Sequence, residues 1–132
     1  MKLIYCAIPS RMSKILSKEI NLFVMSFSEF PFNPFMAFPL ELYENGPMGR
    51  EKTLDYCKKF VEICDEFWLF GLSEGTIEEL ERAISANKKI KTFSNFDKEW
   101  FNEKNKLINK IDVLIGMKKF DTFISEKSSN QK

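Results

Sequence analysis

A small α/β domain built around a parallel sheet is the fold this sequence predicts, and three observations predict it. Short β-rich runs alternate with amphipathic stretches of helical spacing along the whole chain. The first run, "KLIYCAI" at residues 2–8, is apolar after its lysine, as a strand buried on both faces of a parallel sheet must be. The chain has 132 residues and is 44% apolar, the size of one domain with a core of its own. The expected architecture is a doubly wound, Rossmann-like or flavodoxin-like three-layer sandwich with four or five parallel strands. It spans residues 1–126 and leaves a flexible Lys/Ser/Asn-rich tail at 127–132.

Taken in order, Pro9 stops the first strand. Ser10 or Ser13 is expected to cap a helix in which Met12, Ile15, Leu16, Ile20, Phe23 and Val24 recur at helical spacing. In "FPFNPFMAFP", residues 30–39, prolines at 31, 34 and 39 stand among four phenylalanines and leave little room for helix. A second, short strand is expected there, near Phe35 to Phe38. "ENGPMGR", residues 44–50, reads as a loop. Leu54, Cys57, Phe60, Val61 and Cys64 form the apolar stripe of a helix over residues 50–64. "EFWLFG" follows as a third strand, Ser73 opens another helix, and "KKIKTF" at residues 88–93 is a fourth strand. From about Asp97 to Met117, Trp100, Leu107, Ile111, Leu114 and Ile115 predict a long terminal helix with one apolar side.

Composition removes several function classes. Twenty basic residues against nineteen acidic ones leave a net charge of +1, which gives no broad field for a nucleic acid polymer or an anionic membrane. There is no histidine, hence no Ser-His or Cys-His pair and no usual zinc ligand. The three cysteines lack CxxC spacing and read as small buried side chains in a reducing compartment. The amino-terminal apolar run is too short for a signal sequence or a membrane span, so a cytoplasmic protein without cofactor or metal is expected.

Ligands of doubly wound sheets bind beyond the carboxyl ends of the strands. The turn at Pro9 to Arg11, the Phe-rich loop and the stretch Ser73 to Glu79 should therefore share one crevice. The expected substrate-binding set at this rim is Pro9, Ser10, Arg11, Asn33, Phe35, Ser73, Gly75 and Thr76. Ser10 and Arg11, with the amides of the following helix, would form a compact anion site, although Arg11 also reads as a solvated surface arginine. Phe35 and Phe38 would sandwich a base or belong to the core. Asn33 would bond a base edge or start a turn. "SEGTIEELERAISANKK", residues 73–89, places Glu78 and Glu79 together on the first turn of its helix. Acids there ordinarily complement the helix dipole, and a catalytic role for Glu79 is the alternative.

A resemblance bears on that choice. "LIYCAIPSR" resembles the "Y-I-A-G-P-Y-R" opening of the nucleoside 2-deoxyribosyltransferase-like superfamily. "CDEFWLFGLSEGTIEELERAISANKKIKTF" is similar to the "CDELWVFG…SEGM…E…A…G.P" block of its small phage and bacterial members. The likeness covers about residues 2–93. It implies that Glu79 is the catalytic glutamate and Tyr5 the tyrosine that orients it. "GTIEEL" also resembles the "G-T-x-x-E" element of phosphoribohydrolases of the cytokinin-activating, lysine-decarboxylase-like group, without their "P-G-G" lead-in, and again implies Glu79. Two positions depart from the superfamily. Ile8 stands where glycine usually follows the first strand, and Lys58 where many members carry an aspartate; Asp55, one turn earlier, is the expected substitute.

The chemistry suits a carboxylate. Breaking an N-glycosidic bond builds positive charge on the sugar, which a glutamate beside the anomeric carbon can stabilise or trap covalently. The expected function is that of an N-glycosidase or 2-deoxyribosyltransferase acting on a nucleoside 5′-monophosphate or related nucleotide. The competing expectation is a non-catalytic nucleotide-binding or interaction protein. Members of the superfamily are commonly dimers or larger, and the apolar terminal helix carries more surface than one sheet flank covers, so a homodimer is expected.

Overall fold

The computed structural model describes residues 1–37, 42, 43 and 45–93, without the side chains of Arg11, Lys14 and Ile15. Phe38, the expected terminal helix at 97–117 and the tail at 127–132 lie outside the described residues. The elements are β1 (Leu3–Ala7), α1 (Ser10–Met25), β2 (Phe30–Phe32), α2 (Pro34–Ala37), α3 (Arg50–Ile63), β3 (Glu66–Leu69), α4 (Glu74–Ser85) and β4 (Lys89–Thr92). The four strands form one parallel sheet in the order β2-β1-β3-β4. The chain winds outward from β1 to β2, crosses back through α3 to β3 and continues through α4 to β4, the last described strand. The direction of winding reverses between β1 and β3.

Strand alternation divides the core into two layers. Tyr5 and Ala7 of β1 and Phe67 and Leu69 of β3 pack with Cys57, Val61, Leu80 and Ala83 of α3 and α4. Ile4, Cys6 and Trp68 face the other way, against Ile20, Phe23 and Val24 of α1. This is the expected α/β three-layer arrangement, with four strands described. The cysteines are buried and unpaired in disulfides. Burial first, and the Asp65 carboxylate second, push the Cys64 thiol up to about 12, so it stays protonated.

Two local expectations are corrected. The second strand is Phe30–Phe32 rather than Phe35 to Phe38, and Pro34 to Ala37 form the short α2. Pro31 is tolerated because β2 is an edge strand, and Pro34 suits a first helical position. Neither serine caps α1. Its N-cap is Pro9, without a side-chain bond, and the Ser13 hydroxyl donates instead to the Ser10 carbonyl at 2.8 Å. At the far end of the molecule α4 closes through Asn87, which takes positive φ while Lys88 N–H reaches Ala83 O and Asn87 N–H reaches Ile84 O.

Gly71 follows β3 where two segments touch. A Cβ there would stand 2.6 Å from Pro9 Cγ and 2.7 Å from Met12 Sδ, so only glycine fits against the start of α1. At the opposite, amino-terminal edge of the sheet the buried Glu66 accepts from Lys2 Nζ at 2.9 Å and Trp68 Nε1 at 3.1 Å, and Lys91 lies 4.0 Å away. Burial favours the neutral acid, yet Lys2, Trp68 and Lys91 outweigh it and hold the carboxyl below its ordinary value.

Two expected outcomes follow from this packing. Gly71→Ala should cost about 1–3 kcal/mol of stability in a urea titration, the range for overpacking a filled site. For Glu66, a depressed folded pKa means that its contribution is complete above the ordinary value of 4.5 and is lost as pH falls through the lower folded value. Stability should therefore decline with acid below about pH 4.5, and Glu66→Gln should flatten that decline in denaturation midpoints measured across the range.

Candidate functional site

The cleft opens beyond the carboxyl ends of β1 and β3, where the winding reverses, and encloses about 140 Å³. Ile8 and Ser10 line it after β1, and Pro34 and Phe35 line it after β2. α3 contributes Arg50, Thr53, Leu54 and Cys57, spaced along one helical face. Ser73, Glu74, Gly75, Thr76 and Glu79 complete the wall from α4.

The start of α4 is held by reciprocal caps. Ser73 Oγ accepts from Thr76 N–H at 3.1 Å, and Thr76 Oγ1 accepts from Ser73 N–H at 2.8 Å. The Thr76 hydroxyl donates onward to the Gly71 carbonyl at 2.9 Å. Gly75 faces Leu54 of α3 at van der Waals distance from any added Cβ. Because the helix begins at Glu74, the first-turn acid is Glu74, and Glu78 and Glu79 sit in its second turn. That corrects the expected placement and weakens the dipole explanation for Glu79, since the effect fades within one turn.

Glu79 is 6% exposed and accepts a hydrogen bond on Oε2 from the Tyr5 hydroxyl. Tyr5 is fully buried on β1, stacked on Phe67 with ring centroids 5.6 Å apart. Burial, then the Glu79 carboxylate and the Cys57 thiol, push its pKa well above the usual tyrosine value. Tyr5 therefore remains a proton-bearing donor at any working pH. A carboxylate so placed, held by the Tyr5 hydroxyl and bordering the cleft, can act as a nucleophile or steady a cation.

The sequence-expected residues divide accordingly. Ser10, Phe35, Ser73, Gly75, Thr76 and Glu79 meet at the cleft, and Tyr5 reaches it through Glu79. Pro9 is buried against Gly71 instead of lining the cleft. Asn33 is occupied elsewhere: its Oδ1 accepts from Phe35 N–H at 3.0 Å and its Nδ2 donates to Asn21 Oδ1 at 3.1 Å, so it starts the turn into α2. Arg11 lies on the first turn of α1. Asp55 is exposed and off the cleft, because Thr53 and Leu54 already occupy the inward face and Asp55 lies about 100° round from Leu54. Lys58 pairs with Glu78 at 3.3 Å. The expected substitution of Asp55 for the aspartate at position 58 is therefore not realised in this geometry. Ile8, 3% exposed, lines the cleft.

Arg50, Thr53, Cys57 and Glu74 were not anticipated. For the three on α3 the signal was a second stripe, at positions 50, 53, 54 and 57, which begins just after Gly49; Glu74 belongs to the first turn of α4. Among the described residues no group of three or more His, Cys, Asp or Glu is arranged to hold a metal ion, and no helix is long and apolar enough to cross a membrane.

A family model described as a domain of unknown function (DUF7768) matches residues 11–93. No curated protein matches the sequence. Among solved structures, the chain is similar to the 2-deoxyribosyltransferase of Bacillus psychrosaccharolyticus, with a TM-score of 0.58 and 17% identity over 76% of this chain and 80% of that one. It is similar also to the CMP N-glycosidase BcmB of Clostridium botulinum, with a TM-score of 0.57 and 21% identity over 85% and 84% of the two chains. At these identities the likeness is one of fold.

The caps give a test of how the wall is held. Thr76→Val keeps the side-chain shape but leaves Ser73 N–H and Gly71 O without the hydroxyl, and should cost about 1–3 kcal/mol in urea unfolding.

Proposed function

The chain belongs to the family described as a domain of unknown function (DUF7768), and we propose that it cleaves the N-glycosidic bond of a nucleoside 5′-monophosphate or related nucleotide. The observation that carries this reading is the buried Tyr5–Glu79 pair bordering the cleft at the sheet's switch point. In the proposed reaction a carboxylate oxygen of Glu79 attacks the anomeric carbon. The C–N bond breaks and its electron pair leaves with the base, which takes a proton from solvent water. Water then attacks the glycosyl-enzyme ester and releases the sugar phosphate, or a second base attacks and forms a new nucleotide. Tyr5 holds the carboxylate in place, Ser10 at the start of α1 is assigned to the phosphate, with Arg11 as the sequence's candidate beside it, and Phe35 borders the base. The fold shared with a 2-deoxyribosyltransferase and a CMP N-glycosidase supports this assignment of chemistry.

A second reading has its own support. Ile8 lines the cleft and neither Asp55 nor Lys58 does, Lys58 being paired with Glu78, so a protein that binds a nucleotide without cleaving it fits these residues. We also propose that residues 1–126 form one domain and that the chain assembles as a homodimer through the apolar stretch at 97–117.

Mass spectrometry after incubation with a panel of ribo- and deoxyribonucleotides separates the two functional readings. Released base, or a glycosyl adduct on Glu79, supports the enzyme; intact bound ligand supports the binder. Glu79→Gln, which keeps an oxygen for Tyr5, should lower base release about 10³-fold or more in a folded protein. Glu78→Gln should leave it unchanged. Full activity in Glu79→Gln would remove the nucleophile assignment.

A further inference from the structure

The charges around the cleft are uneven. Of its described lining residues, Glu74 and Glu79 are carboxylates and Arg50 is the one cation. Arg50 opens α3 and Glu74 opens α4, so the two face each other from opposite walls. Arg50 Nη2 donates to Glu74 Oε2 at 3.3 Å, closing a bridge across the cleft mouth. The side chains are 56% and 80% exposed, so the bridge is weakly held and exchanges with solvent readily.

An anionic ligand group entering this space meets two carboxylates and needs a cation close by. A guanidinium is charged at every relevant pH and offers a planar fork of donors that matches the oxygens of a phosphate. We infer that Arg50 determines the specificity of the cleft by binding the ligand's phosphate, and that Glu74 is the internal anion which that phosphate displaces. The inference rests on the proposed reading of the cleft as a nucleotide site. It makes the phosphate, rather than the base, the group by which a ligand is admitted. A neutral nucleoside leaves the bridge closed. A phosphomonoester opens it, exchanging one carboxylate on Arg50 for a more highly charged group, while the released Glu74 stays solvated at the positive end of α4.

The test uses inorganic phosphate as the probe, titrated calorimetrically into the full chain and into Arg50→Gln, Arg50→Lys, Glu74→Gln and Glu78→Gln. Both bridge residues are more than half exposed, so these variants should fold, and circular dichroism checks it. Arg50→Gln should lower phosphate affinity roughly tenfold or more, and Arg50→Lys should fall between it and the parent. Glu74→Gln should raise affinity about two- to fivefold, the measure of an exposed ion pair removed. Glu78→Gln, whose Lys58 partner does not line the cleft, should change nothing. Equal affinities in all proteins, or no phosphate binding by Glu74→Gln, would overturn the inference. Base release that depends on Glu79 in a protein whose phosphate affinity ignores Arg50 sinks this inference alone. Phosphate binding that follows Arg50 and Glu74 without base release from any nucleotide sinks the glycosidase reading alone.

Discussion

Parallel strand pairing is the constraint on which the rest of this molecule depends. Each strand must be rejoined by a crossover that returns the chain to the same edge, and here each crossover carries a helix running back against the strands. The described helices therefore begin at one rim. The first residues of the four described helices, Ser10, Pro34, Arg50 and Glu74, all border the cleft. Chain topology alone brings together amide-rich helix ends that lie far apart in sequence, and a sheet of short strands places its most polar surroundings there.

Against this background Glu79 is the residue whose placement costs most. A carboxylate removed from water is unfavourable unless its oxygens find donors, and the Tyr5 hydroxyl on β1 supplies one from inside the core. The tyrosine is itself fixed by stacking on Phe67 and Phe32. An aliphatic residue at position 79 would join Leu80 and Ala83 in the apolar layer at less cost. The fold thus carries a buried polar pair against an otherwise hydrophobic layer.

Much of this was legible in the sequence, for identifiable reasons. Long periodic runs such as Ser10–Met25 and short β-rich runs such as Leu3–Ala7 announce their elements, and their alternation dictates a parallel sheet and hence the rim. Ser73, Gly75, Thr76 and Glu79 could be placed there by topology. The Phe-rich segment misled because proline argues against a strand in general but not at a sheet edge, where Pro31 sits. Asp55 misled because the contribution of α3 to the cleft was judged by distance along the chain. The face that α3 presents is decided by angle, and Leu54 and Cys57 serve both the apolar stripe and the cleft. Arg50 was hidden for another reason: a charged residue at a helix start looks solvated until the opposite wall is known.

The close approach of Gly71 to Pro9 bears on how the protein can vary. The turn after β1 and the turn after β3 are separated by most of the described chain, yet the absent side chain of one is filled by the ring of the other. Neither can change alone: a larger residue at 71 requires a smaller or displaced one at 9, and with it a shift of the whole of α1. The two turns are thus sterically coupled. Innovation in what the cleft accepts falls instead to Arg50, Thr53 and Leu54 on α3, where substitutions alter the wall without moving the sheet.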